Sequence, residues 1–135
     1  MEREKCLLMV VDDEPIVGKR LKQVFEKAGY RTGVFTDGPS ALRDLKENSY
    51  NIVVTDLKMQ DVDGMKILEA AREKNPDIKV IIITAYAEVE TAKEAFKKGV
   101  FDFIAKPFRI DDLKKVIARA EKELSDLSDK SDSSS

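Results

Sequence analysis

No histidine or tryptophan occurs in this chain, cysteine occurs once, and the 24 basic and 26 acidic residues nearly cancel. Each scarcity removes a class of chemistry. Without histidine there is no Ser-His-Asp triad, no imidazole metal ligand and no histidine phosphodonor within the chain. Cys6 stands alone, which excludes an internal disulfide, argues against a thiolate metal site and suits a reducing compartment. A formal net charge of −2 provides no general attraction to nucleic acid or to anionic lipid. The basic doublets Lys97-Lys98 and Lys114-Lys115 read as solvated helix faces. No apolar run approaches the roughly 18–20 residues needed to cross a bilayer, and Met1 to Lys5 is too charged for a signal peptide. The expectation is a cytoplasmic chain with neither a membrane nor a direct nucleic-acid partner.

What is present is enough for one core: 135 residues, of which 42% are hydrophobic and 37% charged. Short β-branched runs alternate with stretches of helical period. Leu7 to Val11 reads as a strand, and Val17, Leu21, Val24, Phe25 and Ala28 then recur at helical spacing after Pro15, up to the stop at Gly29. Thr32 to Phe35 is a short second strand that suits an edge. Asp37-Gly38-Pro39-Ser40 turns the chain into a helix carrying Ala41, Leu42 and Leu45. Ile52 to Asp56 and Val80 to Ile83 are apolar on both faces and belong in the middle of a sheet. Helices carrying Met65, Leu68 and Ala71, then Val89, Ala92 and Phe96, follow them. Phe103-Ile104-Ala105 forms the last strand, and Leu113, Val116, Ile117, Ala120 and Leu124 the last helix. Five strand–helix units predict a doubly wound α/β fold: a five-stranded parallel sheet with right-handed crossovers and helices on both faces. From Ser125 the chain turns to Ser and Asp, so residues 125–135 are expected to form a disordered tail or the start of a linker, outside a domain at 1–124.

The ends of the strands carry the chemistry. Asp12 and Asp13 follow the first run, Asp56 ends the third, Thr84 ends the fourth and Lys106-Pro107 follows the fifth. Ligands of open α/β sheets bind outside those carboxyl ends, so these five side chains are expected to share one pocket. Alone, each has an ordinary reading: Asp12 or Asp13 as a helix cap, Asp56 as a turn residue, Thr84 as the polar end of a buried strand, Lys106 as a loop lysine. Two adjacent acids exceed what one cap can use. Three carboxylates in contact must either take up protons or hold a divalent ion, and oxygen-only ligands favour Mg²⁺.

Together, Val10-Val11-Asp12-Asp13-Glu14-Pro15, Val53-Val54-Thr55-Asp56-Leu57, Asp63-Gly64, Ile82-Ile83-Thr84-Ala85 and Asp102-Phe103-Ile104-Ala105-Lys106-Pro107-Phe108 strongly resemble the receiver domain of two-component response regulators. The resemblance covers about residues 5 to 124 and implies a flavodoxin-like (βα)5 sandwich. It further implies that Asp56 accepts the phosphoryl group and that Asp12, Asp13, Asp56 and the Lys58 carbonyl hold Mg²⁺. Thr84 and Lys106 would then bind the phosphoryl oxygens, with Phe103 as the switch aromatic. The implied partners are a sensor histidine kinase or histidine phosphotransfer protein, and an output domain or partner met through helix four, strand five and helix five. A phosphorylation-dependent homodimer is a further implied form. The stretch from Ala85 to Phe103 looks most like receivers attached to transcriptional activators.

Two departures stand out. Met59 precedes Gln60 where such receivers commonly have Met-Pro, so the loop lacks a rigid residue there. Lys58 and Tyr86 occupy places that border the path of attacking water and could alter the phosphoryl lifetime. Among other classes, a phosphohydrolase of similar sheet would show Asp-x-Asp rather than Asp12-Asp13. A flavin- or nucleotide-binding module would need glycines or hydroxyls after the first strand. A degenerate scaffold receiver would lack part of the acceptor set.

Overall fold

Strands β1 to β5 are Leu7–Val11, Arg31–Phe35, Ile52–Asp56, Lys79–Thr84 and Asp102–Ala105; helices α1 to α5 are Pro15–Lys27, Gly38–Glu47, Gly64–Lys74, Val89–Lys97 and Ile110–Ser133. They alternate strictly in a computed structural model that describes residues 6–133. The charged start, Met1 to Lys5, lies outside the described residues. All strand pairings are parallel, in the order β2-β1-β3-β4-β5. As expected, β2 lies at an edge while β3 and β4 are interior.

Because successive strand residues face opposite sides of a sheet, the apolar runs feed two cores. Met9, Val11, Val53, Val80 and Ile82 pack with Ala41, Leu45, Leu68 and Ala95 beneath α2, α3 and α4. Leu8, Val10, Ile52, Val54, Ile81 and Ile83 pack with Leu21, Phe25, Leu113 and Ile117 beneath α1 and α5. Runs that are apolar at every position therefore follow from burial on both faces.

Local chemistry starts and ends the helices. The Asp37 carboxylate accepts the Ser40 amide hydrogen at 2.7 Å at the head of α2, and Asp63 accepts that of Lys66 at 3.1 Å at the head of α3. Gly29 and Gly99, at φ 102° and 93°, take the left-handed conformation that ends α1 and α4. The Lys74 ammonium donates to the Leu45, Lys46 and Asn48 carbonyls, closing the otherwise unpaired C-terminal end of α2.

In the structure α5 continues past Leu124 to Ser133. Extending an existing helix costs far less than nucleating one, and Leu127, three residues after Leu124, prolongs the apolar stripe by another turn. Ser134 and Ser135 lie outside the described residues.

Candidate functional site

Sheet register assembles the site. Val11 pairs with Thr55, so Asp12 and Asp56, each one residue further on, emerge side by side. Asp56 pairs with Ile83, and Thr84 pairs with Ala105, which places Thr84 and Lys106 at the same edge. The predicted convergence is therefore a matter of register, which brings the carboxyl ends of β1, β3, β4 and β5 to one edge of the sheet.

Asp12 is fully buried and Asp56 is 8% exposed. One oxygen of Asp12 accepts the Glu14 amide hydrogen at 2.9 Å, while the other accepts the Lys106 ammonium at 3.0 Å. Lys106 also reaches Asp56, at 3.2 Å. Asp12 thus does not cap α1, whose N-cap is Glu14 with no side-chain capping bond. Burial pushes the Asp56 carboxyl above the ordinary carboxylate range, against the opposing pull of Lys106. Burial draws the Lys106 ammonium down, but its bonds and charge contacts with Asp12 and Asp56 outweigh that and hold it above the usual lysine range. The peptide bond from Lys106 to Pro107 is cis.

Asp13, exposed at the rim, completes a set in which Asp12, Asp13 and Asp56 each offer an oxygen within 4.8 Å of the others. Three carboxylates against one ammonium leave an excess of negative charge, and every donor is a hard oxygen. That donor set fits a small divalent cation that keeps several of its own waters.

The loop from Leu57 to Asp63 is seated by contact. Asp61 has φ 66°, and the Val62 amide hydrogen bonds the Gln60 carbonyl at 2.7 Å, closing a three-residue turn. Val62 lies on Gly38, where an added Cβ would come within 2.4 Å of the Val62 carbonyl oxygen. Gly64 is equally constrained. Its amide hydrogen bonds the Leu57 carbonyl at 2.9 Å, and a Cβ there would fall 2.5 Å from the Asp56 carbonyl oxygen and 3.0 Å from the Leu57 Cα. Backbone atoms cannot rotate away as side chains do, so Gly64→Ala should push α3 off β3 and cost about 2 kcal/mol in urea unfolding. A variant as stable as the parent would show that the Asp56 backbone is free to move.

The remaining predicted residues divide. Thr84 is buried, and its hydroxyl oxygen accepts the Tyr86 amide hydrogen at 2.9 Å. Phe103 is half-buried against the α2–α4 core, while its amide hydrogen goes to its neighbour Asp102 at 2.8 Å. Lys58 and Tyr86 are exposed, and the Lys58 ammonium sits over the Tyr86 ring, 5.9 Å from its centre.

Residues 8–118 match the family model described as the response regulator receiver domain. The chain belongs to that family. The regulatory protein AtoC of Escherichia coli is 38% identical over 113 residues, a stretch spanning 84% of this receiver and 24% of AtoC. The transcriptional regulatory protein ZraR of Klebsiella oxytoca is 34% identical over 120 residues, 89% of this receiver and 27% of ZraR. The receiver thus spans about a quarter of the length of these curated relatives. Among solved structures, a response regulator receiver domain protein from Clostridium thermocellum superposes with a TM-score of 0.84 at 31% identity, covering 90% of this receiver and 98% of that chain.

Three features of the receiver were not apparent from sequence. The amide of Glu14 orients Asp12, Gly64 buttresses the Asp56 backbone, and Lys106 pairs with Asp12 as well as Asp56. In sequence Asp63-Gly64 is only one piece of the receiver pattern, and the close approach of the Asp56 and Leu57 backbone gives the glycine a steric reason.

Proposed function

We propose that this receiver takes a phosphoryl group from a phosphohistidine onto Asp56 and thereby switches the surface formed by α4, β5 and α5. The reading rests on one observation above the others: a single ammonium, that of Lys106, bridges Asp12 and Asp56 across the ends of three strands. An Asp56 carboxylate oxygen attacks phosphorus in line as the bond from phosphorus to the donor nitrogen breaks, and the electron pair of that bond leaves with the imidazole. Asp12, Asp13, Asp56 and the Lys58 carbonyl would hold Mg²⁺, whose charge, when bound, offsets that of the equatorial phosphoryl oxygens. Lys106 turns from the carboxylates to a phosphoryl oxygen, and Thr84 donates its hydroxyl hydrogen to another. Catalysis is positioning and charge stabilisation. Water entering by the same line later hydrolyses the acyl phosphate, and Lys58 and Tyr86, at the rim, set how readily it enters.

The signal leaves through Thr84 and Phe103. Movement of Thr84 toward the phosphoryl group draws the loop before α4 and opens space for Phe103, so that α4 and β5 shift together. Val89 and Phe96 expose large apolar surface on α4, 69% and 52% respectively, as a surface that meets an output partner or a second copy would. A histidine kinase or histidine phosphotransfer protein supplies the phosphoryl group in the cytoplasm. By kinship with AtoC and ZraR, the output is transcription control, carried by protein contacts of the receiver rather than by DNA contacts. No helix among the described residues is long and apolar enough to cross a membrane.

Incubation with acetyl phosphate and Mg²⁺ should add one phosphoryl group per chain, in a linkage cleaved by hydroxylamine as an acyl phosphate is. Mass spectrometry of the intact chain reads the addition. A hydroxylamine-stable adduct, or equal addition in excess chelator, would overturn the assignment.

A further inference from the structure

The stacking of Lys58 on Tyr86 joins the two loops that border Asp56. Lys58 lies two residues beyond Asp56 in the loop leading to α3, and Tyr86 lies two residues beyond Thr84 in the loop leading to α4. Tyr86 has a hold on the site as well, because its amide hydrogen bonds the Thr84 hydroxyl oxygen at 2.9 Å. A chain of contacts therefore runs from the Lys58 ammonium, through the Tyr86 ring and backbone, to Thr84. Tyr86 is 59% exposed, and its aromatic contact is with this ammonium, so the ring's position depends on where the Lys58 charge is drawn.

Resting on the acceptor role of Asp56, we infer that the Lys58–Tyr86 stack is a charge-operated clasp: the phosphoryl dianion draws the Lys58 ammonium off the ring, and the released Tyr86 frees the α4 loop to follow Thr84. The ranking of interactions dictates the direction. An ammonium over an exposed ring is a weak contact, whereas an ammonium bonded to a phosphoryl oxygen is a charge-assisted hydrogen bond of greater strength. Before phosphorylation the ring holds the charge. Afterwards the dianion does. Tyr86 is thus a positioning residue that acts through Lys58 and opposes anion binding, because the stack must open each time the anion enters.

Beryllofluoride with Mg²⁺, a tetrahedral anion that mimics an acyl phosphate on a carboxylate, reads this without hydrolysis. In calorimetric titrations Tyr86→Leu should tighten beryllofluoride binding by about two- to fivefold, since no stack then has to open. Lys58→Met should weaken it about tenfold through loss of the cation, while leaving the backbone carbonyl in place. Tyr86→Leu made in the Lys58→Met background should change nothing further, and that dependence on background is the signature of the clasp. Tyr86→Phe, which keeps a ring, should behave as the parent. If Tyr86→Leu weakens binding, or acts equally in both backgrounds, the clasp is wrong. A parent that binds no beryllofluoride would instead overturn the acceptor role of Asp56, and the two failures are therefore distinct.

Discussion

Lys106→Met should lower the stability of the metal-free receiver by about 3 kcal/mol, which for a chain of this size is a fall of roughly 10 °C in Tm. Lys106 supplies the cation that bonds both the fully buried Asp12 and the nearly buried Asp56. Methionine fills similar space and offers no charge, leaving two carboxylates facing each other in a desolvated pocket. The loss should be greatest near neutral pH and shrink in acid, where one carboxyl takes up a proton. For the parent the sign is opposite. The Lys106 pKa is raised on folding, so its contribution is complete below the unfolded lysine value, about 10.4, and disappears only as pH rises through the higher folded value. Mg²⁺ should restore more stability to Lys106→Met than to the parent, because it takes over the neutralisation. It should not restore phosphorylation, which needs a donor aimed at the phosphoryl oxygen and should fall by about a hundredfold. Thermal melts with and without Mg²⁺, together with acetyl phosphate labelling rates, measure both halves. A variant that melts with the parent in the absence of metal would mean that Lys106 does not neutralise the pair.

Asp56→Asn should act on stability in the other direction while abolishing labelling. Burial raises the Asp56 pKa in the folded chain, so the ionised carboxylate opposes folding at neutral pH. A raised folded value means that the group favours the fold fully below its unfolded pKa, about 3.9, and that this help is lost as pH rises through the folded pKa. Asparagine keeps the shape and an oxygen for Lys106, and it removes the charge that repels Asp12. Melts near neutral pH should show a gain of about 1 kcal/mol, or roughly 3–5 °C, and the gain should vanish toward acid as the parent becomes protonated. Added Mg²⁺ should raise the parent's Tm more than the variant's. A functional group that weakens its own fold is the expected mark of a reactive site. Labelling that survives in Asp56→Asn would move the acceptor elsewhere, and a lowered Tm at neutral pH would mean that Lys106 outweighs the cost of burial.

Much of the fold was legible because its signals are local. Runs apolar at every position announce strands covered on both faces, and Pro15, Asp37, Asp63, Gly29 and Gly99 mark helix ends through their own backbone and side-chain chemistry. The end of α5 is less legible for the same local reason. A Ser- and Asp-rich composition carries no helical period of its own, while in the structure the residues from Ser125 to Ser133 extend a helix already nucleated and anchored by Leu113, Ile117 and Ala120.

The sequence by itself determined the alternation of strand and helix, the residue types at the strand ends and, through them, the membership in the receiver family. Those properties depend on neighbours along the chain and on periods of two and 3.6 residues, which are written in order. Only the tertiary structure decided that Lys106 bonds Asp12 across 94 positions of sequence, that Gly64 bears on the Asp56 backbone, and that Lys58 rests on Tyr86. Such contacts depend on strand register and on the crossing of loops in three dimensions. A shift of β3 by a single residue in register would turn its side chains, Asp56 among them, to the opposite face of the sheet.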